Sequence, residues 1–131
     1  MNIVGPPLGK VSIVPSSWAE WNINQAIAIF RPVESLNRNF LLYWLLSEQL
    51  LRLAVSQAKA TAGQSNLTLQ ICRDLPIPMC SLEEQAEVVR KIETAFGRVS
   101  LAGSETERNL VLLERLEERL LAKAFSGELV L

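Results

Sequence analysis

The chain has 131 residues, a net charge of −1 and no histidine. A chain of this length forms one domain, or a small domain with an attached helical arm, so large multidomain enzymes are excluded. The lack of histidine removes the commonest general base and the usual zinc ligand, and two cysteines are too few for a disulfide framework. The charge balance gives no general attraction to nucleic acid, so any such contact must be local.

The sequence carries no pattern typical of export or membrane insertion. The first ten residues, MNIVGPPLGK, lack the apolar stretch of a signal peptide. No apolar run approaches the roughly eighteen residues of a membrane span. We therefore expect a cytoplasmic protein that folds at least in part, because 49% of its residues are hydrophobic.

The composition changes near residue 80. Residues 1–80 carry six basic and four acidic side chains and all six prolines, whereas residues 81–131 carry seven basic and ten acidic side chains and no proline. Shifts in both charge and proline content indicate two parts. We predict a boundary at Met79–Ser81, with residues 1–80 as a globular part and residues 81–131 as a helical part.

Two short strands are predicted in the first part. Lys10–Val14 is rich in β-branched residues, and Ile23–Phe30 alternates imperfectly between apolar and polar residues; a proline closes each stretch. We expect the two strands to pair as a hairpin. Trp18 and Trp21 lie in the connection, and we interpret both as cover for an edge of the core rather than as stacking residues.

A single amphipathic helix is predicted next, from Glu34 to about Ala58. Apolar residues recur there at three- and four-residue spacing, and Trp44 lies among them as an expected core residue. We interpret the alternating charges on the other side as a solvated face: Arg38, Glu48 and Arg52. Residues 60–66, ATAGQSN, contain Gly63 and small polar side chains, and are predicted to form a loop.

Three signals lead into the second part. Leu67–Asp74 is predicted to form a helical turn, and Leu75–Pro78 to be extended, because proline lacks a backbone donor. Ser81 and Glu84 fit a capping box, in which each side chain bonds the backbone N–H of the other, so a helix is predicted to begin there. Glycines are the predicted place for this helix to end or bend: Gly97 or Gly103.

The clearest helical pattern covers residues 106–125. Leucines keep three- and four-residue spacing along one side, and glutamate and arginine fill the other, which we interpret as solvated. Gly127 is predicted to stop the helix. A helix face this apolar must pack against another apolar surface. Its candidate interface residues are Leu110, Leu113, Leu116 and Leu120.

The residues by themselves support DNA contact only at scattered positions. Lys10 follows a glycine and Lys59 adjoins the predicted loop, so both are candidates for phosphate contact. Amide side chains can pair with adenine or other base edges, and the candidates are Asn24, Gln25, Gln64 and Asn66. Each of the six also has an ordinary interpretation as a turn or surface residue. Arg31 and Arg73 equally fit structural ion pairs.

Taken in order, these segments resemble the C-terminal part of a type I restriction-modification specificity subunit. The resemblance rests on INQAIAIFRP at 23–32, an aromatic-rich helix, a glycine-containing loop, LPIP at 75–78 with Glu84-Gln85 after it, and the ending LLAKAFSGELV at 120–130. The Glu84-Gln85 pair and the ending are the more specific motifs. The resemblance covers nearly the whole chain.

The resemblance implies a non-catalytic protein that recognises double-stranded DNA and needs no cofactor. Residues 1–80 correspond to the back of a target-recognition domain and residues 81–131 to the conserved helical spacer. In the family, methyltransferase subunits dock on the specificity subunit and use S-adenosylmethionine. A restriction subunit, which uses ATP and Mg, joins the complex through them. Complete members are several times longer, so we expect a fragment or a truncated form.

The expected fold is α+β, or α/β: a small mixed globule of short strands with a packed helix, then a C-terminal arm of two helices like a coiled coil.

Two functional hypotheses follow. One is a DNA-recognition subunit that places a methyltransferase over its target base. The other is an assembly module that docks partner helices or forms a two-fold homodimer with antiparallel helices, without DNA affinity. Leu116→Asp should abolish association of the chain under both hypotheses, whereas Lys59→Ala should affect function only under the first hypothesis. A third hypothesis, a small hydrolase, is the weakest, since no nucleophile elbow or phosphate loop supports it.

Overall fold

A computed structural model describes residues 1–17, 19–61 and 64–127, without the side chains of residues 59–61 and 64–65. The described part is mostly helical, with few strands and a long C-terminal helix. The elements are α1 (Arg38–Leu46), α2 (Glu48–Gln57), β1 (Lys59–Thr61), β2 (Gln64–Asn66), α3 (Leu69–Arg73) and α4 (Leu82–Phe125). Contacts divide the chain into a first unit, Met1–Val89, and a second unit, Arg90–Leu131. Of the described helices, none has the length and apolarity to span a membrane.

The predicted single helix between residues 34 and 58 is wrong, because two helices meet at Ser47. Ser47 has an extended backbone, with ψ at 138°, and it ends α1 and begins α2. Its hydroxyl donates to the Trp44 carbonyl at 2.7 Å and accepts from the Leu50 N–H at 3.3 Å. A short polar side chain that satisfies both helix ends makes the break favourable.

The predicted hairpin of Lys10–Val14 with Ile23–Phe30 is also wrong. Neither stretch is a strand in the described structure, and Ile27 forms only an isolated bridge, with Asn2. Met1–Ile3 takes the place of the expected partner, since the Ile3 N–H donates to Ala26 O and the Ala28 N–H donates to Met1 O. Trp21 is exposed, and Trp18 lies outside the described residues.

The predicted loop at residues 60–66 contains an antiparallel hairpin instead. β1 pairs with β2 in the register Lys59 with Asn66 and Thr61 with Gln64. The expected turn positions, Ala62 and Gly63, lie outside the described residues. Small polar residues have weak strand propensity, so this pairing depends on its surroundings rather than on the local sequence.

Helix α3 and the start of α4 are confirmed where the sequence placed them. Leu69–Arg73 forms the expected turn, and the Thr68 hydroxyl accepts from the Ile71 N–H at 3.1 Å. Leu75–Pro78 is neither helix nor strand. At α4, the Glu84 N–H donates to the Ser81 hydroxyl at 3.2 Å and the Ser81 N–H donates to the Glu84 carboxylate at 2.8 Å.

The predicted arm of two helices is wrong, because α4 runs unbroken from Leu82 to Phe125. Gly97 and Gly103 lie inside it, and open space surrounds the position that a Cβ would take at either residue. A glycine in a helix interior costs only about 1 kcal/mol relative to alanine, which the neighbouring helix formers outweigh. The helix ends close to Gly127, as predicted, and this glycine adopts a positive φ of 81°.

The core of the first unit forms where helices α1–α3 meet the N-terminal segments and the start of α4. Trp44 packs against this core as predicted, and its indole N–H donates to Pro76 O at 2.7 Å. The packing carries the first two turns of α4 into the first unit. The buried hydrophobic residues are Ile3, Ala28, Leu36, Phe40, Leu41, Leu45, Leu50, Ala54, Leu67, Cys72, Leu75 and Val89.

Candidate functional site

Lys10 ends a loop that closes on Asn2. The Asn2 N–H donates to Lys10 O at 2.8 Å, and the Gly9 N–H donates to Asn2 O at 3.0 Å. Gly9 has a positive φ of 76° and lies against Leu51, so a side chain there would be strained and crowded. The loop therefore holds the Lys10 backbone while its side chain stays exposed. An exposed lysine on a fixed backbone is suited to phosphate contact.

Asn24 and Gln25 form an exposed turn. The Asn24 side-chain oxygen accepts from the Ala26 N–H at 3.0 Å, and the Asn24 carbonyl accepts from the Ile27 N–H at 3.3 Å. Asparagine commonly makes this local turn, so its oxygen is already used within the chain. The Gln25 side chain is exposed and has no hydrogen-bond partner among the described residues. Of the two amides, Gln25 is the one whose whole side chain is available.

Asn66 holds the hairpin to the loop before Lys10. Its side-chain oxygen accepts from the Gly5 N–H at 3.2 Å, and the next residue, Leu67, donates its N–H to Ile3 O at 2.9 Å. Asn66 is half-buried and its oxygen is occupied, which leaves its amide nitrogen for other contacts. The side chains of Lys59 and Gln64 lie outside the described part of the structure.

Backbone hydrogen bonds bring these separate stretches together around Met1–Ile3. The loop ending at Lys10 pairs with Asn2, the residues after Gln25 pair with Met1 and Ile3, and Leu67 pairs with Ile3. The hairpin register places Lys59 beside Asn66. All six candidates thus belong to segments joined to one short backbone stretch, although the sequence separates them by up to fifty-six positions.

A groove in the first unit brings together two arginines that the sequence pattern did not single out for binding. Its volume is about 410 Å3, and it lies between residues 11–14, residues 21–32 and α1. Arg31 and Arg38 both line it and are exposed, and neither has an ion-pair partner among the described residues. The structural ion pair considered for Arg31 is therefore not observed in the described part. Trp21 and Ile23 line the same groove and are half exposed.

The arginines escaped the sequence analysis because they lie on different elements. Arg31 precedes Pro32 in an irregular segment, and Arg38 begins α1 after the Asn37 cap. Both arginines come to line one groove only when the chain folds. Two cations with exposed aromatic and aliphatic side chains beside them suit a ligand with phosphates and a stacking face.

The Glu84-Gln85 pair has two different structural roles. The Ser81 hydroxyl and N–H donate to the Glu84 carboxylate, which lowers the pKa of that carboxyl. Gln85 is fully buried and bonds three backbone groups at the base of α4. The local sequence indicates the capping role of Glu84, whereas the contacts of Gln85 depend on residues 35–37.

The four interface leucines lie along one exposed face of the second unit. Leu110, Leu113, Leu116 and Leu120 are between 49% and 61% exposed, and they lie beside Leu121, Glu114 and Glu117. Among the described residues of this unit only Ile92 is as much as half-buried; all the others are exposed. We call Leu110, Leu113, Leu116 and Leu120 the leucine face. An apolar stripe of this length is unusual on a surface that has no partner.

The described residues hold no group of three or more histidine, cysteine, aspartate or glutamate side chains close enough for a metal ion. Cys72 is buried beneath the N-terminal segment, and this burial raises the pKa of its thiol. A thiol of raised pKa stays protonated and is a poor nucleophile at neutral pH.

Comparison with known proteins identifies the family. Residues 3–109 match the family described as "Type I restriction modification DNA specificity domain". This match covers most of the chain and includes the segments that pair with Met1–Ile3, the arginine groove and the Glu84-Gln85 pair. The chain belongs to this family. The resemblance seen in the order of the sequence motifs is confirmed.

Individual specificity subunits match over different lengths. The EcoBI specificity subunit of Escherichia coli is 29% identical over 98% of this chain, and the EcoDI subunit of the same species is 29% identical over 75%. The StySPI subunit of Salmonella potsdam is 33% identical over 53%. The chain spans 27% of the EcoBI subunit and 22% of the EcoDI subunit, so it corresponds to about a quarter of each. No solved structure matches the chain.

Proposed function

We propose that this chain is a non-catalytic DNA-recognition segment of a type I restriction-modification enzyme, which positions methyltransferase and restriction subunits on DNA. The observation that carries the proposal is the family match over residues 3–109. The relatives are named as specificity subunits of type I restriction enzymes, in agreement with this role. Such a subunit works in the cytoplasm, where the cellular DNA is. S-adenosylmethionine, ATP and Mg are used by its partner subunits.

We assign recognition to residues 1–80, as part of a mixed α/β recognition domain, and the spacer role to residues 81–131. Lys10 and Lys59 contact phosphates, and the amides of Asn24, Gln25, Gln64 and Asn66 meet base edges or adjoining phosphates. Support for this grouping comes from the hydrogen bonds that join their segments to Met1–Ile3. Arg31 and Arg38 are added as phosphate contacts, because both are exposed and lack an ion-pair partner in the described part.

DNA binding in a salt series tests this assignment. The purified chain, alone and with a methyltransferase subunit of the same system, is titrated with labelled duplex between about 50 and 200 mM salt. Each phosphate contact contributes about −0.9 to the slope of log K against log salt concentration, so Lys10→Ala should weaken binding and flatten that slope by about one unit. Arg38→Ala should do the same. The matched control is Lys123→Ala, at the far end of α4, and its slope should equal that of the parent chain.

The outcomes separate phosphate contact from loss of folding. Lys10 and Arg38 are exposed, so their alanine variants should unfold at the same urea concentration as the parent. Unchanged DNA affinity in both variants would remove these residues from the interface. Absence of sequence-selective binding, with and without the methyltransferase subunit, would reject the recognition function itself.

The second candidate function is an assembly module. The exposed leucine face favours it, because four leucines in a row on one helix have no cover within the described second unit. We propose that this face forms a coiled-coil-like contact, most simply a two-fold homodimer with antiparallel helices or a dock for a helix of the methyltransferase subunit. Sedimentation with and without that subunit distinguishes self-association from docking. If the chain associates but does not bind DNA at any salt concentration, the assembly module remains as the only supported function.

A further inference from the structure

Gln85 has the most completely enclosed side chain among the described residues, with 0% of its surface exposed. Its amide nitrogen donates to Cys80 O at 2.8 Å and to Ser35 O at 3.0 Å, and its amide oxygen accepts from the Asn37 N–H at 2.7 Å. Both donor hydrogens and one acceptor site are therefore used. One side chain connects the beginning of α4, the segment before it and the N-cap of α1.

Apolar packing alone does little to select one placement of the α4 start. Val89 is the only other buried residue of α4, whereas Leu82 is 50% and Val88 is 39% exposed. Apolar burial has no direction, so two buried side chains discriminate less sharply between rotations of the helix than directional hydrogen bonds do. The three hydrogen bonds of Gln85 have direction, because an unpaired amide in a buried site is costly.

A shift of the helix by one residue shows how strictly these hydrogen bonds depend on its placement. It turns the helix by about 100°, which takes Gln85 out of its enclosed site and brings in a neighbour. The neighbours are Glu84, which is charged and already caps the helix through Ser81, and Ala86, which has no polar group. Neither satisfies the three backbone groups of residues 35, 37 and 80. Only the observed placement leaves them all paired.

We infer that Gln85 is a positioning residue, which fixes the rotation and register of the first turns of α4 against the N-cap of α1. Its contribution is to select one arrangement among several of similar apolar burial, as a single buried amide does in a coiled coil. The inference goes beyond the proposed function and does not depend on DNA binding. It assigns a role to the Gln of the Glu84-Gln85 pair that the capping box does not explain.

Amide hydrogen exchange measured by NMR tests the contact directly. In the parent chain, the side-chain NH2 of Gln85 should exchange far more slowly than that of Gln25, which is exposed. Gln85→Met keeps the length of the side chain and removes both donors. The Asn37 N–H should then exchange about tenfold faster or more, while the Leu45 N–H in the core keeps its protection. Unchanged exchange at Asn37 would overturn the inference.

Gln85→Glu gives a second test that does not require the methionine variant to fold. Burial and two facing carbonyl oxygens disfavour the ionised form of the introduced carboxyl and raise its pKa, while its protonated form restores one donor. The amide shifts of Asn37 and Ser81 should therefore move back towards parent values as the pH falls from 7 to about 4.5, around the ordinary glutamate pKa. Stability should fall as the pH rises through the same window.

The matched control is Gln49→Glu, which places the same charge in the first turn of α2 at an exposed position. Parallel titration of the parent chain subtracts the response of its own carboxyl groups over the same pH range. A response at Asn37 and Ser81 that is present in Gln85→Glu and absent in Gln49→Glu supports positioning by Gln85. The same response in both variants, or in neither, would overturn the inference.

Discussion

The two units of this chain use their hydrophobic residues in opposite ways. In the first unit, twelve hydrophobic residues bury one another, and they come from the N-terminal segments, all four helices and the stretches on either side of α3. In the second unit, the leucine face of α4 is about half exposed, and no described residue is buried. The first unit therefore has the contacts needed for stability within the chain. The second must rely on helix propensity and on whatever covers its leucines.

The two units should also respond differently to protein concentration. An isolated helix is marginal in water, because most helical stability in proteins comes from packing of the apolar face. Unfolding of the first unit should therefore be independent of protein concentration, whereas the helicity of residues 90–125 should rise when a partner covers the leucine face.

The largest effect is expected from Phe40→Ala in the core of the first unit. Phe40 is only 7% exposed, and removing a buried phenyl ring typically costs about 3–5 kcal/mol. Urea unfolding followed by tryptophan fluorescence, to which the core residue Trp44 contributes, should show the loss. Phe125→Ala is the matched control, because Phe125 is 88% exposed, and its effect should stay within about 0.5 kcal/mol. Equal effects of the two changes would contradict the contrast between the units.

The next largest effect is expected from Leu116→Asp in the leucine face. Burial of one leucine contributes about 2 kcal/mol, so a charge in its place should weaken association by at least roughly thirtyfold. Sedimentation equilibrium measures the change. Val111→Asp introduces the same charge at an exposed apolar residue about 140° round the helix and should leave association intact. If Leu116→Asp associates as well as the parent chain, the leucine face is not the contact surface.

The sequence predicted the elements whose signals are local. The Ser81–Glu84 capping box, the short helix at Leu69–Arg73 and the stop near Gly127 all depend on neighbouring residues, and the structure confirms each. The failures occur where tertiary contacts compete with local preference. Met1–Ile3 occupies the place beside Ala26 and Ala28 that the expected hairpin partner would take. Likewise, the polar hairpin of β1 and β2 is joined to the rest of the unit through Asn66 and Gly5.

The candidate site was only partly predictable for the same reason. Residue type alone marks Lys10 or Gln25 as able to meet DNA, but nothing local shows that their segments share the backbone of Met1–Ile3. The grouping of Arg31 with Arg38 and the burial of Gln85 arise only from folding. An exposed and an enclosed glutamine look alike in one sequence, because their difference lies in distant carbonyl and N–H groups.

A smaller effect, with a defined pH dependence, is expected from Glu84→Gln. The hydrogen bonds from Ser81 lower the pKa of the Glu84 carboxyl, so this capping contact is fully present above the ordinary glutamate pKa of about 4.3. It is lost as the pH falls through the lowered value. The stability difference between parent and variant should therefore shrink in acid. Glu83→Gln removes a charge from the same turn, so a matching profile in that variant would assign the effect to charge alone.

The smallest effect, and one of opposite sign, is expected from Gly97→Ala. Gly97 is in the interior of α4, and a Cβ there would meet nothing within 4 Å, so alanine should stabilise the helix by about 0.5–1 kcal/mol. Circular dichroism during thermal unfolding would show the gain, and Gly103→Ala should behave in the same way. Gly127→Ala should instead destabilise the helix end, because alanine disfavours the positive φ of 81° there. A loss of helicity in Gly97→Ala would mean that residue 97 is a bend in solution, and the continuous α4 on which the contrast of the two units depends would have to be divided there.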